Sequence, residues 1–242
     1  MVMGLYYQEN VDRLLDIMTK KIIYNKFDKK KIPTLSRVLF PGRIIVVLNE
    51  KEADKAVDYL LNAELLGFDT ETKPSFRKGH QNTVSLLQVS TNDTCFLFRL
   101  HRTGLCPSIK KLLETTDVRK IGLSWHDDIL SLKKCGEFQA KGFIDLQDHM
   151  KELGIEDTGL AKLYANIFGQ RISKREQLSN WEADVLSEKQ KAYAATDAWA
   201  CVMLYTEYQR LKDKNDYELV VVPEDNPLMN NNEENENISE EK

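Results

Sequence analysis

The sequence predicts an α/β protein, a mixed β-sheet covered by helices. Two patterns carry that prediction. Short apolar runs bounded by turn residues fill the first half of the chain, and segments of helical period fill the second. Strands come first and are then interleaved with helices, as expected for a mixed sheet with helical layers. Size agrees: 242 residues with 42% hydrophobic content suit one sizeable core.

Taken in order, residues 1–42 read as a basic N-terminal arm. Weak helical periodicity near "VDRLLDIMTKKI" precedes the turn pair Pro41–Gly42. "RIIVVL" (43–48) is a strand. Asn49 and Glu52 form a cap signature, which starts a helix over "EKEADKAVDYLLNA". "ELLGFDTE" is the second strand. "TVSLLQVST" and "TCFLFRL" are two more, joined by a turn at Asn92 and Asp93. A helix over "CPSIKKLLET" leads to the strand "VRKIGLS", and helices follow at 125–135, 145–153, 158–168 and 188–211. The main domain is expected at 43–212. Residues 213–242 form an acidic, asparagine-rich tail with little to bury, expected to be largely disordered.

The net charge of -4 argues against strong non-specific nucleic-acid binding by the whole chain. That average hides a basic stretch from Lys20 to Arg43 and an acidic run from Glu224. Cys95, Cys106, Cys135 and Cys201 have neither zinc nor disulfide-framework spacing. The first ten residues lack the basic lead and apolar length of a secretory signal, and no run approaches a membrane span. A soluble, cytoplasmic protein with no membrane partner is expected.

The chemistry is expected at "LLGFDTETKP". Asp69 and Glu71 stand two apart on a strand, so both side chains share a face at the end of an apolar run. Two adjacent carboxylates near a core repel unless a cation lies between them. On the last helix, Ser187 and Gln190 form a capping box. Tyr193 and Asp197 then lie one turn apart on its apolar stripe. The segment "KIGLSWHDDILSL" holds two aspartates. With Ser124 as N-cap, Asp127 takes the capping-box position, while Asp128 shares a face with Leu132 and Cys135. Asp128 is the expected ligand, with Asp127 as the alternative.

These motifs, from about Arg43 to Leu211, resemble the DEDD-type 3'-5' exonucleases of the tyrosine subgroup, DnaQ-like enzymes. They are most similar to the ribonuclease D and Werner-type exonuclease domains. "FDTET", "VSLLQVST", "KIGLSWHDDILSL" and "LSNWEADVLSEKQKAYAATDAWA" resemble the family's motifs in order. The resemblance implies a ribonuclease H-like fold and two divalent ions, magnesium or manganese. It implies that Asp69 bridges both, that Glu71 and Asp197 hold the water-activating ion, and that Asp128 supports the second. Tyr193 would orient the attacking water. The substrate is nucleic acid with a free 3' end and the product a nucleoside 5'-monophosphate. The hard-oxygen ligand set fits such ions.

Substrate contacts are expected from Thr70, from Phe76, Arg77 and Lys78 in the segment after Glu71, and from Lys174 and Arg175. His126 is expected at the surface of its helix's first turn, and Trp181 packed against the last helix. The chain leaves no room for a ribonuclease D-type C-terminal helical domain or a helicase, so DNA is expected slightly ahead of RNA. The alternatives are an RNA-trimming exoribonuclease of ribonuclease D type and a non-catalytic nucleic-acid-binding scaffold.

Overall fold

The computed structural model describes residues 20–75 and 82–223. β1 (Lys21–Tyr24) is followed by a short 3-10 turn (Lys29–Thr34), β2 (Ser36–Arg37) and β3 (Arg43–Val47). Then come α1 (Glu50–Leu60), β4 (Leu65–Thr72), β5 (Val84–Ser90), β6 (Thr94–Arg99), α2 (Leu100–Thr103) and α3 (Pro107–Glu114). β7 (Arg119–Gly122), α4 (Trp125–Lys133), β8 (Phe143–Asp145), α5 (Leu146–Glu152) and α6 (Leu160–Phe168) follow. β9 (Gln170–Arg171), α7 (Glu188–Lys214) and β10 (Tyr217–Val220) complete the described elements.

Six strands form the main sheet in the order β3-β6-β5-β4-β7-β8. β4, β5 and β6 are an antiparallel meander, while β3 on one side and β7 and β8 on the other run parallel to their neighbours. Side chains alternate along β4 and divide the core. Leu66 and Phe68 join the core under α1 and α3, with Leu87, Val89 and Phe98. The other face packs on α7, through Leu86, Leu97, Ala198 and Leu204. Gly67 lies on that α7 face, where a Cβ would be 1.9 Å from the Ala198 carbonyl oxygen. Only glycine lets the strand and the helix approach this closely.

The arm and the tail differ from expectation. The end of the helical-period segment, Lys21–Tyr24, is a strand paired in parallel with β10, whose residues 217–220 were expected in the tail. α7 also runs to Lys214. Specific hydrogen bonds outweigh the weak periodicity here. The Tyr24 amide donates to Asn166 Oδ1 at 2.9 Å, and Asn166 Nδ2 donates back to the Tyr24 carbonyl at 2.7 Å. β2 pairs with β9, and the Phe40 amide donates to Thr196 Oγ1 on α7 at 3.0 Å. The rest of the periodic segment and the tail from Glu224 lie outside the described residues. Among the described residues, no helix is long and apolar enough to cross a membrane.

Candidate active site

β4 and α7 build the site together. The Gly67 contact holds the strand against the helix, and two residues on, Asp69 meets Asp197. The capping box at Ser187 and Gln190 forms as expected. Gln190 Nε2 also donates to Ser179 Oγ and to the Asn180 carbonyl, tying the preceding loop to the start of the helix. Asp69, Glu71 and Asp197 each offer a carboxylate oxygen within 4.8 Å of the others. Glu71, Tyr193 and Asp197 are buried.

Burial and mutual repulsion raise the proton affinity of this cluster. Asp69 lies well above the usual carboxylate range, through burial and then the charges of Asp197, Glu71 and Asp128. Glu71 is pushed up to about 9 by burial and by Asp197 and Asp128. Asp197 rises to about 7 through burial, against the opposing effects of Tyr193 and Lys174. Its Oδ1 is buried with no hydrogen-bond partner. Buried oxygens of this kind require a partner. An unpaired carboxylate oxygen within an all-oxygen acidic cluster fits a divalent cation. Tyr193 is displaced upward by burial first and then by Asp197 and Glu71, so its hydroxyl is protonated at neutral pH.

Asp128 approaches from the other face. Trp125 is buried against Phe68 and Phe143, with ring centroids 5.6 and 4.7 Å apart, and this seats the start of α4 beside β4. Asp128 there accepts a hydrogen bond from the Thr70 hydroxyl. It lies outside the cluster of three, yet its charge acts on Asp69 and Glu71. Asp127 is exposed. The capping box expected from Ser124 to Asp127 does not form. Ser124 has a left-handed backbone, φ 57°, and its side chain makes no cap. Asp145 takes that task. Its carboxylate accepts the Ser124 and Trp125 amides, both at 3.0 Å, and also caps α5 through the Gln147 amide at 2.9 Å.

A cavity of about 290 Å³ opens over the acids, lined among others by Thr70, Lys174 and Tyr193. Gln177, Leu160 and Ile172 also line it and were missed from sequence, since nothing in their spacing separates them from packing residues. Gln88 was missed too. It pairs in register with Asp69, is fully buried, and its amide lacks a hydrogen-bond partner. A glutamine within the run "SLLQVS", opposite the first acid, was its signal. Arg175 and His126 are exposed, and Arg175 is outside the cavity lining. Trp181 is fully buried, 6.0 Å from the Tyr193 ring. Phe76, Arg77 and Lys78 lie outside the described residues.

The model of the 3'-5' exonuclease family matches residues 44–212, the segment holding all four acids and Tyr193. The chain belongs to the 3'-5' exonuclease family. The mouse bifunctional 3'-5' exonuclease/ATP-dependent helicase WRN is 28% identical over 184 residues, covering 72% of this chain and 13% of that protein. An Arabidopsis thaliana 3'-5' exonuclease is 30% identical over 190 residues, 72% of this chain and 66% of its own length. The chain thus spans less than two thirds of these curated relatives. The crystal structure of Escherichia coli RNase D superposes with a TM-score of 0.63 at 18% identity, over 72% of this chain and 45% of that one. The fold of this exonuclease-family chain is the ribonuclease H-like one that the motifs imply.

Proposed function

We propose that the protein is a metal-dependent 3'-5' exonuclease that releases nucleoside 5'-monophosphates one at a time from a free 3' end. The carrying observation is the carboxylate cluster, three oxygens within 4.8 Å of one another. In this reading Asp69, Glu71, Asp128 and Asp197 hold two magnesium or manganese ions. Asp69 feels the charges of all three other acids, which suits a ligand shared between ions. Such ions, once bound, stabilise the attacking and leaving oxygens of an in-line displacement at phosphorus.

The chain's own groups divide the remaining tasks. Burial and the neighbouring acids hold the Tyr193 hydroxyl protonated in the metal-free cluster, which suits a group that orients the attacking water. Lys174 brings positive charge to the side of the cavity near Asp197, where a substrate phosphate would sit. Thr70 holds Asp128 in place. Phe76, Arg77, Lys78 and Arg175 are proposed as outer contacts to the terminal nucleotide.

DNA stands ahead of RNA in this proposal. Leu123, Leu160, Ala161 and Ile172 give the cavity an apolar wall, against which a deoxyribose packs without burying a 2'-hydroxyl. The RNA reading has its own support, since Ser173 and Gln177 in the same lining offer partners to that hydroxyl. The test is digestion of matched 5'-labelled DNA and RNA oligonucleotides with manganese, with magnesium and with EDTA. A stepwise ladder on DNA that chelation abolishes is expected. A ladder on RNA alone would transfer the assignment to RNA.

A further inference from the structure

A second compartment of about 650 Å³ adjoins the catalytic cavity. The two share Gly159, Ala161, Ile172 and Lys174 as a common wall. The far side is built by Lys29, Ile32 and Pro33 of the 3-10 turn. These belong to the basic arm, which lies before the segment matched to the exonuclease family. We propose that this compartment is the path of the single strand upstream of the 3'-terminal nucleotide, with Lys29 and Lys174 facing its phosphates.

The charge balance favours that occupant. Glu156 and Asp157 also line the compartment, but both are engaged within the protein. Asp157 accepts from the Phe27 amide at 2.6 Å and from Lys162 Nζ at 2.8 Å. Glu156 accepts from Asn25 Nδ2 at 3.1 Å and pairs with Lys26 at 3.2 Å. Those bonds fix the arm against the start of α6, so the wall is a built feature of the fold. Lys29 and Lys174 are exposed, and neither side chain makes a hydrogen bond or ion pair among the described residues. Open cations above neutralised acids give a net positive lining, and a nucleic-acid backbone is attracted to it. Ile32 and Pro33 add apolar surface for sugars and bases. The proposal rests on the exonuclease reading, because only a 3' end at the acids sends the preceding nucleotides this way.

The test compares wild type, Lys29→Glu and Lys55→Glu, the last making the same charge change at an exposed position of α1. Each is assayed on a single-stranded decamer and on a dinucleotide, and decamer binding is also read by fluorescence anisotropy. Lys29→Glu is expected to raise the decamer KM relative to the dinucleotide KM by about three- to tenfold, and to flatten the salt dependence by roughly one phosphate contact. Lys55→Glu is expected to behave as wild type. Equal effects on both substrates, equal effects of both variants, or no effect of Lys29→Glu would overturn the path. So would tighter decamer binding by Lys29→Glu, which would mark an acidic segment as the occupant. A wild type that binds the decamer and does not cut it would sink the catalytic reading alone.

Discussion

Asp127 and Asp128 are neighbours in sequence, and the structure gives them different surroundings. Asp128 is half-buried, and its carboxyl lies above the ordinary range through burial, against the Thr70 hydrogen bond. Asp127 faces solvent. Helix phase separated the two from sequence alone, because a rotation of about 100° per residue sends them in different directions. The capping role expected for Asp127 does not hold, since Ser124 is left-handed and its side chain makes no cap. Asp128→Asn is expected to lower kcat by about 10- to 100-fold with little change in fold, the usual effect of weakening a metal-site support. Asp127→Asn is expected to stay within about 0.5 kcal/mol of wild-type stability and close to it in rate. Steady-state kinetics with manganese and urea melts of both variants check this. Tyr193→Phe tests the water-orienting role. Turnover is expected to fall by about 100-fold while manganese binding, read by calorimetry, is retained. A Tyr193→Phe enzyme with wild-type turnover would remove the tyrosine from the mechanism.

At the scale of elements, β4 and α7 position the site, and both were legible. Alternation along "LLGFDTE" put Asp69 and Glu71 on one face, and the stripe on the last helix brought Tyr193 and Asp197 to it. The strand-helix contact was not legible, because a glycine within an apolar strand does not reveal which backbone it will touch. Gly67→Ala is expected to destabilise the protein by about 1–3 kcal/mol and to lower activity, because the added methyl forces the acids apart. Urea denaturation alongside metal titration measures both effects. Asp145 was also hidden, since its second helix is distant in sequence. Asp145→Ala removes the caps of α4 and α5 together and is expected to cost about 1–2 kcal/mol by urea denaturation. Strand pairs of two to four residues, such as β1 with β10 and β2 with β9, carry too short a pattern to be read from sequence. Their partners are set by side-chain bonds such as those of Asn166.

For the whole molecule, the acid cluster links stability to pH and to metal. Unfolded aspartate and glutamate release their protons near pH 4. In the folded, metal-free state Asp197 holds its proton to about 7 and Glu71 to about 9. Between about pH 4.5 and 9 the folded chain therefore binds more protons than the unfolded one, so this cluster's contribution to stability falls as pH rises. A divalent cation replaces those protons, and the manganese-induced rise in melting temperature is expected to grow across the same window. Thermal melts in EDTA and in manganese at several pH values check the sign. In the proposed function, a metal-filled acid cluster trims nucleic acid from its 3' end. The most direct measurement follows a linear and a circular single strand of the same sequence with wild type and Asp197→Asn, in manganese and in EDTA. Stepwise shortening of the linear strand only, by wild type only, and only with manganese is expected. Cutting of the circle at the linear rate, or full activity in EDTA, would contradict it.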